Sequence, residues 1–593
     1  MKPAKSPGIE KKAFRGQWRK DEKAQEIPDN NMFIVFPCIM AATFLCALDS
    51  TIITTALPSI SADLQMDSAE YSWVGVAYLL TSCALIPVVS KVGTIVGEKL
   101  IFIVGILCFC LGSGLCAGAK SGFWLCIARG VQGLGGGTIM SSVQIVISLI
   151  TELSNRGLYS GLIGSVWGIA SVLGPLLGGA ITEHANWRWC FWINLPISAV
   201  VMAALCYFLK LSPRERPNWK QVLIQFDYVG LVSILIGSVC LILGFSIASN
   251  SGWQNPAVIA LVVVGGVVTI FFGVWETYTT SSAIIPPRLF KTLTTTSILI
   301  GNLFHSIGYL ASCYYLPVFF QVADGTGPLE SGVRLLPYTL GASVVSIVCG
   351  LLVARFHKYR IMIWLSWAIQ VLGYGLMTTL RNDSNTAKQI LYILVASLGV
   401  GCLFQVPLLA MQSSLPIVDV STGTGAYVFV RSLGGCIAIS VSGTIVSNVS
   451  KKKLQNIPNA GSLAGLSTEN LTDIKNIEPE SLKVQVQAAY SEAIAKIFIM
   501  VVVLAGCGLI SSLFIKRYEM RTNTVKKGEQ KNVEKTEDEN TKQEEHTEQD
   551  EPTEKDEHTA QDSKKDMNLV SSNESSTIAY SDGKAHSDGK ESN

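Results

Sequence analysis

The sequence predicts an all-α polytopic membrane protein with fourteen transmembrane helices, and three observations carry that expectation. Fourteen apolar runs are each long enough to cross a hydrocarbon core of about 30 Å, which takes about 20 residues of helix. Only 15% of the 593 residues are charged, against 49% hydrophobic, and the mean hydropathy is +0.39. Ordinary soluble domains carry about 25% charged residues. The charge that is present gathers in the two polar ends and in short loops, so the net charge of +2 averages unlike parts.

The runs lie at 32–56, 69–92, 99–118, 122–148, 157–181, 190–209, 228–248, 257–277, 295–320, 333–354, 361–380, 389–411, 424–447 and 495–515. Before them, residues 1–31 are polar and hold eight Lys/Arg. The first run is too long for a signal-peptide core, so it is expected to stay as an uncleaved anchor. Residues 449–494 form the longest connection, carrying Lys451, Lys452 and Lys453 and a polar stretch with helical character at 477–495. Residues 516–593 are rich in Lys, Glu, Asp, Thr and Ser, a composition that buries too little apolar surface to fold alone, and a disordered tail is expected.

Basic residues give the orientation. With the N-terminus in the cytosol, the short inner loops hold twelve Lys/Arg and the short outer loops five, which obeys the positive-inside rule. An even number of spans then puts the C-terminus in the cytosol too. Two glycosylation sequons, at Asn382 and Asn470, fall in outward-facing loops of this arrangement.

Several chemistries are disfavoured. The fifteen cysteines lie inside apolar runs or at their ends, where cysteine acts as a small hydrophobe, so no metal ligand set and no disulfide framework is expected. No basic patch with interleaved aromatics points to nucleic acid. No Gly-x-x-x-x-Gly-Lys-Ser/Thr loop points to ATP drive, and no cofactor is implied. A channel would need a ring of pore charges or a carbonyl filter, and a membrane enzyme would need clustered catalytic groups. Neither is evident.

Within the first span, Asp49 lies about two-thirds of the way across. A charged Asp at a helix centre costs about 2.5–3.5 kcal/mol on insertion scales, so such residues usually face a cavity or a partner. A carboxylate that takes and releases a proton is the functional reading, and a structural ion pair is the plain one. Arg129 is the expected partner, roughly 10 Å into the fourth span at 1.5 Å per residue. Gln132, one turn later, shares its face.

The fifth span reads Gly157, Gly161, Gly164 and Gly168, then Gly174-Pro175 and Gly178-Gly179. The first four make one smooth face suited to close helix packing, and Pro175 is expected to bend the helix. A sliding seam between two halves that alternate access is the sharper expectation. His305, Tyr309, Tyr314, Tyr315 and Gln321 make the ninth span polar and aromatic, and Gln405 and Gln412 do the same for the twelfth. Together they are substrate-cavity candidates for an amphipathic organic ligand, with interhelical hydrogen bonding as the bland alternative. Arg431 is open between a snorkelling side chain and a cavity residue. Asp227 and Glu276 sit at span ends, where a charge reaches water cheaply.

Taken together these residues resemble the fourteen-span drug–proton antiporter family of the major facilitator superfamily, notably its fungal toxin and drug efflux members. The resemblance covers residues 32–517. Leu48-Asp49-x-Thr51-Ile52 with Ala56-Leu57-Pro58 is similar to the span-1 motif, and Ala128-Arg129-Gly130-Val131-Gln132-Gly133 to the span-4 motif. Gly168 through Gly174-Pro175-Leu176-Leu177-Gly178-Gly179 is similar to the span-5 antiporter motif, associated with exporters. Trp187 to Pro196, Pro287-Arg288-Leu289-Phe290 and Gly332 to Pro337 also fit. One stretch departs: between spans 2 and 3, Thr94 stands where the superfamily carries an Asp, and Glu98 where it carries an Arg.

The resemblance implies proton coupling through Asp49 and Arg129 and a monomer in the bilayer. It further implies six-helix bundles at 32–209 and 295–515 flanking extra spans at 228–277. The expected function is proton-coupled export of a lipophilic or amphipathic small molecule at the plasma membrane, with the vacuolar membrane as the alternative. Import by the same fold, for example of an iron–siderophore complex, is the rival function, and a transporter-like sensor a more distant one.

Overall fold

The computed structural model describes residues 25–153, 155–211, 226–279, 283–323, 325–326, 328–382, 384–457, 479–518 and 524–526. Among them, thirteen helices are long and apolar enough to cross a bilayer, and a fourteenth span is made of two helices meeting at 43°. Asn470 and most of the 516–593 segment lie outside the described residues.

Helix α1 (Met32–Leu64) is capped by the Asn31 side chain and continues well beyond the membrane run. The second span breaks into α2 (Ser68–Ala84) and α3 (Ile86–Val96). The uninterrupted run expected at 69–92 is thus corrected. Pro87 has no N–H for the Cys83 carbonyl and its ring crowds that turn. Then follow α4 (Glu98–Ala117), α5 (Gly122–Ile150) and α6 (Arg156–His184), which stays one helix across Pro175. A short α7 (Trp189–Trp192) and α8 (Asn194–Phe208) complete the sixth span, and α9 (Tyr228–Ser251) and α10 (Pro256–Tyr278) make a hairpin.

After a 3-10 turn (Pro287–Lys291) come α11 (Leu293–Ala323), α12 (Pro328–Phe356) and α13 (Tyr359–Met377). The twelfth span is interrupted as well, into α14 (Thr386–Leu403) and α15 (Val406–Ser414), because Pro407 leaves the Leu403 carbonyl without its helical donor. Helices α16 (Ile417–Leu454) and α17 (Glu480–Leu513) are longer than their membrane runs. They consume much of the connection expected at 449–494. Residues 449–454 continue α16, residues 480–494 are the start of α17, and the Lys453 ammonium pairs with the Glu492 carboxylate between them.

Asn30 and Lys210 exchange two hydrogen bonds of 2.8 Å, and the Lys99 ammonium donates to the Cys206 and Leu209 carbonyls. These contacts define a near end, where α1 begins and α8 stops. Residues Gln25–Ile27 also pair in parallel with Thr524–Lys526, so the chain leaves the bundle at one end on both sides. At the far end, Asp63 accepts from Trp187 Nε1 at 2.9 Å and from Arg188 Nη1 at 3.0 Å. Much of α10 is exposed, with Val263, Val267 and Ile270 all open. That is how a bilayer-facing helix looks when the solvent it meets is lipid.

Candidate functional site

Asp49 lies in α1 with its side chain fully buried, and Arg129 of α5 meets it at 2.6 Å with a side chain only 1% exposed. Arg129 Nη1 also donates to Gln132 Oε1 at 2.7 Å, and Gln132 Nε2 donates to Asp49 Oδ1 at 2.7 Å. The three side chains thus close a ring, possible because residues 129 and 132 share a face of α5. Asn194, at the start of α8, donates to Ser113 at 2.9 Å and approaches Asp49 Oδ1 at 3.4 Å. Ser113 passes its own hydrogen to the Phe191 carbonyl. The Arg129 guanidinium stands 4.4 Å from the centre of the Tyr78 ring, and its Nε donates to the Val74 carbonyl. A buried ion pair needs such extra partners to offset desolvation. Protonating Asp49 would remove the charge that holds the ring.

At the near end the first six spans and the last six meet. The glycine face of α6 lies on α12. A Cβ on Gly157 would stand 2.7 Å from the Gly350 carbonyl oxygen, and one on Gly161 would stand 2.8 Å from that of Ser346. A Cβ on Gly168 would stand 3.0 Å from the Thr339 carbonyl oxygen. Beyond Gly168 the stripe changes partner. Gly174 and Gly178 stand against Thr51, Ile52 and Thr55 of α1, and Gly179 faces open space. The hydroxyls of Thr51 and Thr55 donate to the carbonyls of Ala170 and Pro175.

Three cross-links reinforce the near end. Ser90 donates to the Ser421 carbonyl at 3.1 Å, and Ser421 donates to the Glu98 carboxylate at 2.6 Å. Arg156 donates to Gln412 at 3.2 Å. Glu98 therefore joins α4 to α16 through a serine, at the position where the sequence departs from the pattern it resembles. Close by, Arg288 pairs with Asp419 at 2.7 Å, and Glu276 accepts from the N–H groups of Ile284 and Ile285.

A second cluster occupies the later helices. His305 meets Gln370 at 3.4 Å, and Tyr338 and Tyr374 share a hydrogen bond of 2.9 Å. Tyr309 stacks on Tyr338 with centroids 6.0 Å apart. The Phe404 ring receives Tyr309 and His305 edge-on at 4.9 and 5.8 Å, and the Arg431 guanidinium lies over it at 3.9 Å. Phe404 is displayed here at the break between α14 and α15, before Pro407.

The cavity candidates therefore separate. His305 and Tyr309 come together, and Gln405, with its Oε1 free of hydrogen bonds, lies beside Gly164 at the seam. Gln132 belongs to the Asp49 ring, because both ends of its amide are taken there. Gln412 spans to Arg156 and Thr424 in the near-end seam. Gln321 donates to Ser331 and ties α11 to α12. Tyr315 donates to the Ile439 carbonyl at 3.5 Å. Tyr314, about 140° around the helix from Tyr309, is 47% exposed. Sequence reasoning missed Ser113, Asn194, Tyr78, Gln370, Tyr338 and Phe404. Each is an ordinary residue within an apolar run, and only the packing of α2 and α4 on α5 and of α8 on α1 and α4, or of α12 and α14 on α11 and of α13 on α14, brings it to a site. Among the described residues, no group of three or more His, Cys, Asp or Glu side chains is placed to hold a metal ion.

Fourteen spans enclosing a buried carboxylate–guanidinium ring, with a helix seam closed at one end, define a polytopic membrane carrier. The model of the Major Facilitator Superfamily matches residues 39–439, and the chain belongs to that family of transporters. It is a transporter and not an enzyme. An MFS-type transporter of Schizosaccharomyces pombe is 36% identical over 507 residues, covering 85% of this chain and 83% of the relative. The efflux pump dotC of Dothistroma septosporum is 34% identical over 504 residues, covering 84% and 86%. The efflux pump FUS6 of Gibberella fujikuroi is 33% identical over 505 residues, covering 82% and 90%. Among solved structures, the human organic anion transporter MFSD10 aligns at a TM-score of 0.52 with 13% identity, covering 80% of this chain and all of that one. That likeness concerns the fold alone.

Proposed function

We propose that the chain exports lipophilic or amphipathic small molecules in exchange for protons, with Asp49 as the proton carrier and Arg129 as its counter-charge. The observation that carries this reading is the fully buried Asp49–Arg129 pair, in a chain related to fungal efflux pumps. Such intramembrane carboxylates mark proton relays. In this reading both termini and the near end face the cytosol, and the membrane is the plasma membrane. Spans 1–6 and 9–14 rock as two bundles around spans 7 and 8, with the chain acting as a monomer. In this reading Asn382, in the turn before α14, and the sequon at Asn470, which lies outside the described residues, are glycosylation sites.

The coupling is a matter of linkage. Open to the acidic outside, Asp49 takes a proton and its attraction to Arg129 falls. Open to the cytosol, it loses the proton, and substrate binding favours the deprotonated carrier. An outward-acidic gradient then drives export. The contacts across the α6–α12 seam correspond to the state closed to the cytosol.

The test is flux in proteoliposomes of a panel of lipophilic toxins, with and without an imposed pH gradient, for wild type and Asp49→Asn. Gradient-driven export lost in the variant supports the proposal. Uptake driven by the same gradient would instead mean import, and flux unaffected by both gradient and variant would remove Asp49 from the mechanism.

A further inference from the structure

Arg431 lies seven residues inside the apolar run 424–447, roughly 10 Å from its start at 1.5 Å per residue. Its Nη2 is buried among the helices there and does not reach water. Arg129 has Asp49, and Arg156 has the Thr151 carbonyl and Gln412. Arg431 has neither a carboxylate nor a hydrogen bond among the described residues, and its Nη2 is buried without an acceptor. Its guanidinium lies over the face of Phe404. Such a stack holds a guanidinium in place and leaves its edge, with the donor fork, unoccupied.

The surroundings match that edge. Tyr309, Phe404, Val430 and Arg431 are each only partly buried. Tyr427, one turn before Arg431 on α16, is 1% exposed, and its hydroxyl has no hydrogen-bond partner among the described residues. Beside the cation are thus a spare hydroxyl donor and a wall of aromatic rings. A cation left unpaired at this depth is costly, and intramembrane charges of this kind line substrate paths. A planar fork is the geometry that recognises a carboxylate or sulfonate through two parallel hydrogen bonds.

We infer that Arg431 is the counter-charge for the substrate, and that the site beside it takes an amphipathic organic anion. The anionic head forks onto Arg431 with Tyr427 donating to it, and the lipophilic body lies against Phe404 and Tyr309. The inference names the substrate class of the transport reading above and rests on it, but binding tests it separately from flux.

The probes are 1-naphthaleneacetate, 1-naphthaleneacetamide and 1-naphthylethylammonium, which share one ring system and differ in charge. Binding is measured by calorimetry on the full chain in lipid nanodiscs. The acetate is expected to bind about tenfold tighter than the amide or more, the scale of a charge-assisted hydrogen bond. Arg431→Gln should bring the acetate to the level of the amide and leave the amide unchanged. Phe404→Leu, which removes both the ring under the lipophilic body and the stack that holds the guanidinium, should weaken the acetate at least as much as the amide, and it carries the test if Arg431→Gln does not fold. Equal affinity for acetate and amide in wild type, or an acetate preference that survives Arg431→Gln, would overturn the inference. An acetate affinity unchanged in Phe404→Leu would do so as well. Parallel flux measurements keep the two readings apart. Arg431-dependent acetate binding with gradient-independent flux overturns proton coupling alone, and gradient-driven flux of all three probes without any Arg431 dependence overturns the anion site alone.

Discussion

Asp49 and Arg129 meet at 2.6 Å with at most 1% of either side chain exposed, and Gln132 bonds to both of them. The ring is fully joined while Asp49 is charged and loses its central attraction once Asp49 is neutral. Removing one partner of a buried pair costs about 3–5 kcal/mol, because the other charge is left behind.

Asp49→Asn should therefore lower the unfolding temperature and abolish drive by the pH gradient, while exchange of substrate across the membrane continues. Asp49→Asn combined with Arg129→Gln should recover part of the stability, since contacting residues couple by about 0.5–3 kcal/mol. It should recover none of the drive. Thermal unfolding of the four proteins of the cycle, beside gradient-driven flux, checks both. Additive losses of stability would mean that the pair contributes nothing as a pair.

The α6 glycines divide into those that touch and one that does not. A side chain at Gly157 or Gly161 runs into the backbone of α12, whereas Gly179 has nothing within 4 Å. Overpacking a tight contact costs about 1–3 kcal/mol, and here the cost falls on the closed near end. Gly157→Ala and Gly161→Ala should open that end and raise thiol labelling of a cysteine placed at Ser421, by about fivefold or more for 1 kcal/mol. Gly179→Ala should leave labelling and transport unchanged. Equal labelling in all three variants would separate the seam from gating.

How much of this was legible in the sequence depends on the residue. Asp49, Arg129 and the apolar runs stood out because a charge in a membrane run, or twenty apolar residues in a row, is informative by itself. The glycine stripe showed as a spacing, but its division between α12 and α1 did not, because spacing gives a face and not what covers it. The breaks at Leu85 and Phe404–Gln405 follow from Pro87 and Pro407, yet hydropathy averages across them. Ser113 and Asn194 carry no local signal, since a Ser or Asn in a helix becomes part of a site only through what packs beside it. Gln412 and Gln132 looked like cavity residues for the same reason, and packing gave their amides to other partners.

Asp63 has a pH dependence that can be worked out from the far-end contacts. Hydrogen bonds from Trp187 and then Arg188 hold its carboxyl below the usual carboxylate range. A depressed folded pKa means stability that is present above the unfolded pKa and is lost as pH falls through the folded one. The group is largely exposed, so the contribution is that of a surface pair, below about 1 kcal/mol. Asp63→Asn should be slightly less stable than wild type at neutral pH, and the gap should close as pH drops through and below 3.8, the carboxyl's ordinary value. Melting followed by tryptophan fluorescence reads this, with Trp187 as a local reporter. A gap that widens on acidification would contradict the contact.

The charge of the substrate fixes how export responds to the membrane potential. When an anion leaves as a proton enters, both movements carry positive charge inward in effect, so an inside-negative potential drives each of them. One elementary charge crossing 100 mV is worth about 2.3 kcal/mol. A one-for-one exchange of an anion for a proton therefore gains about 4.6 kcal/mol per 100 mV, a neutral substrate half of that and a cation none. In proteoliposomes without a pH gradient, a potassium diffusion potential set by valinomycin should drive naphthaleneacetate export more steeply than naphthaleneacetamide export, and should leave naphthylethylammonium unmoved. Arg431→Gln should lower acetate export by weakening acetate binding to the level of the amide, while the amide response, which needs only Asp49, stays. Acetate export indifferent to potential would mean that no proton enters with each anion leaving, and coupling through Asp49 would fall even if Arg431 still bound the acid.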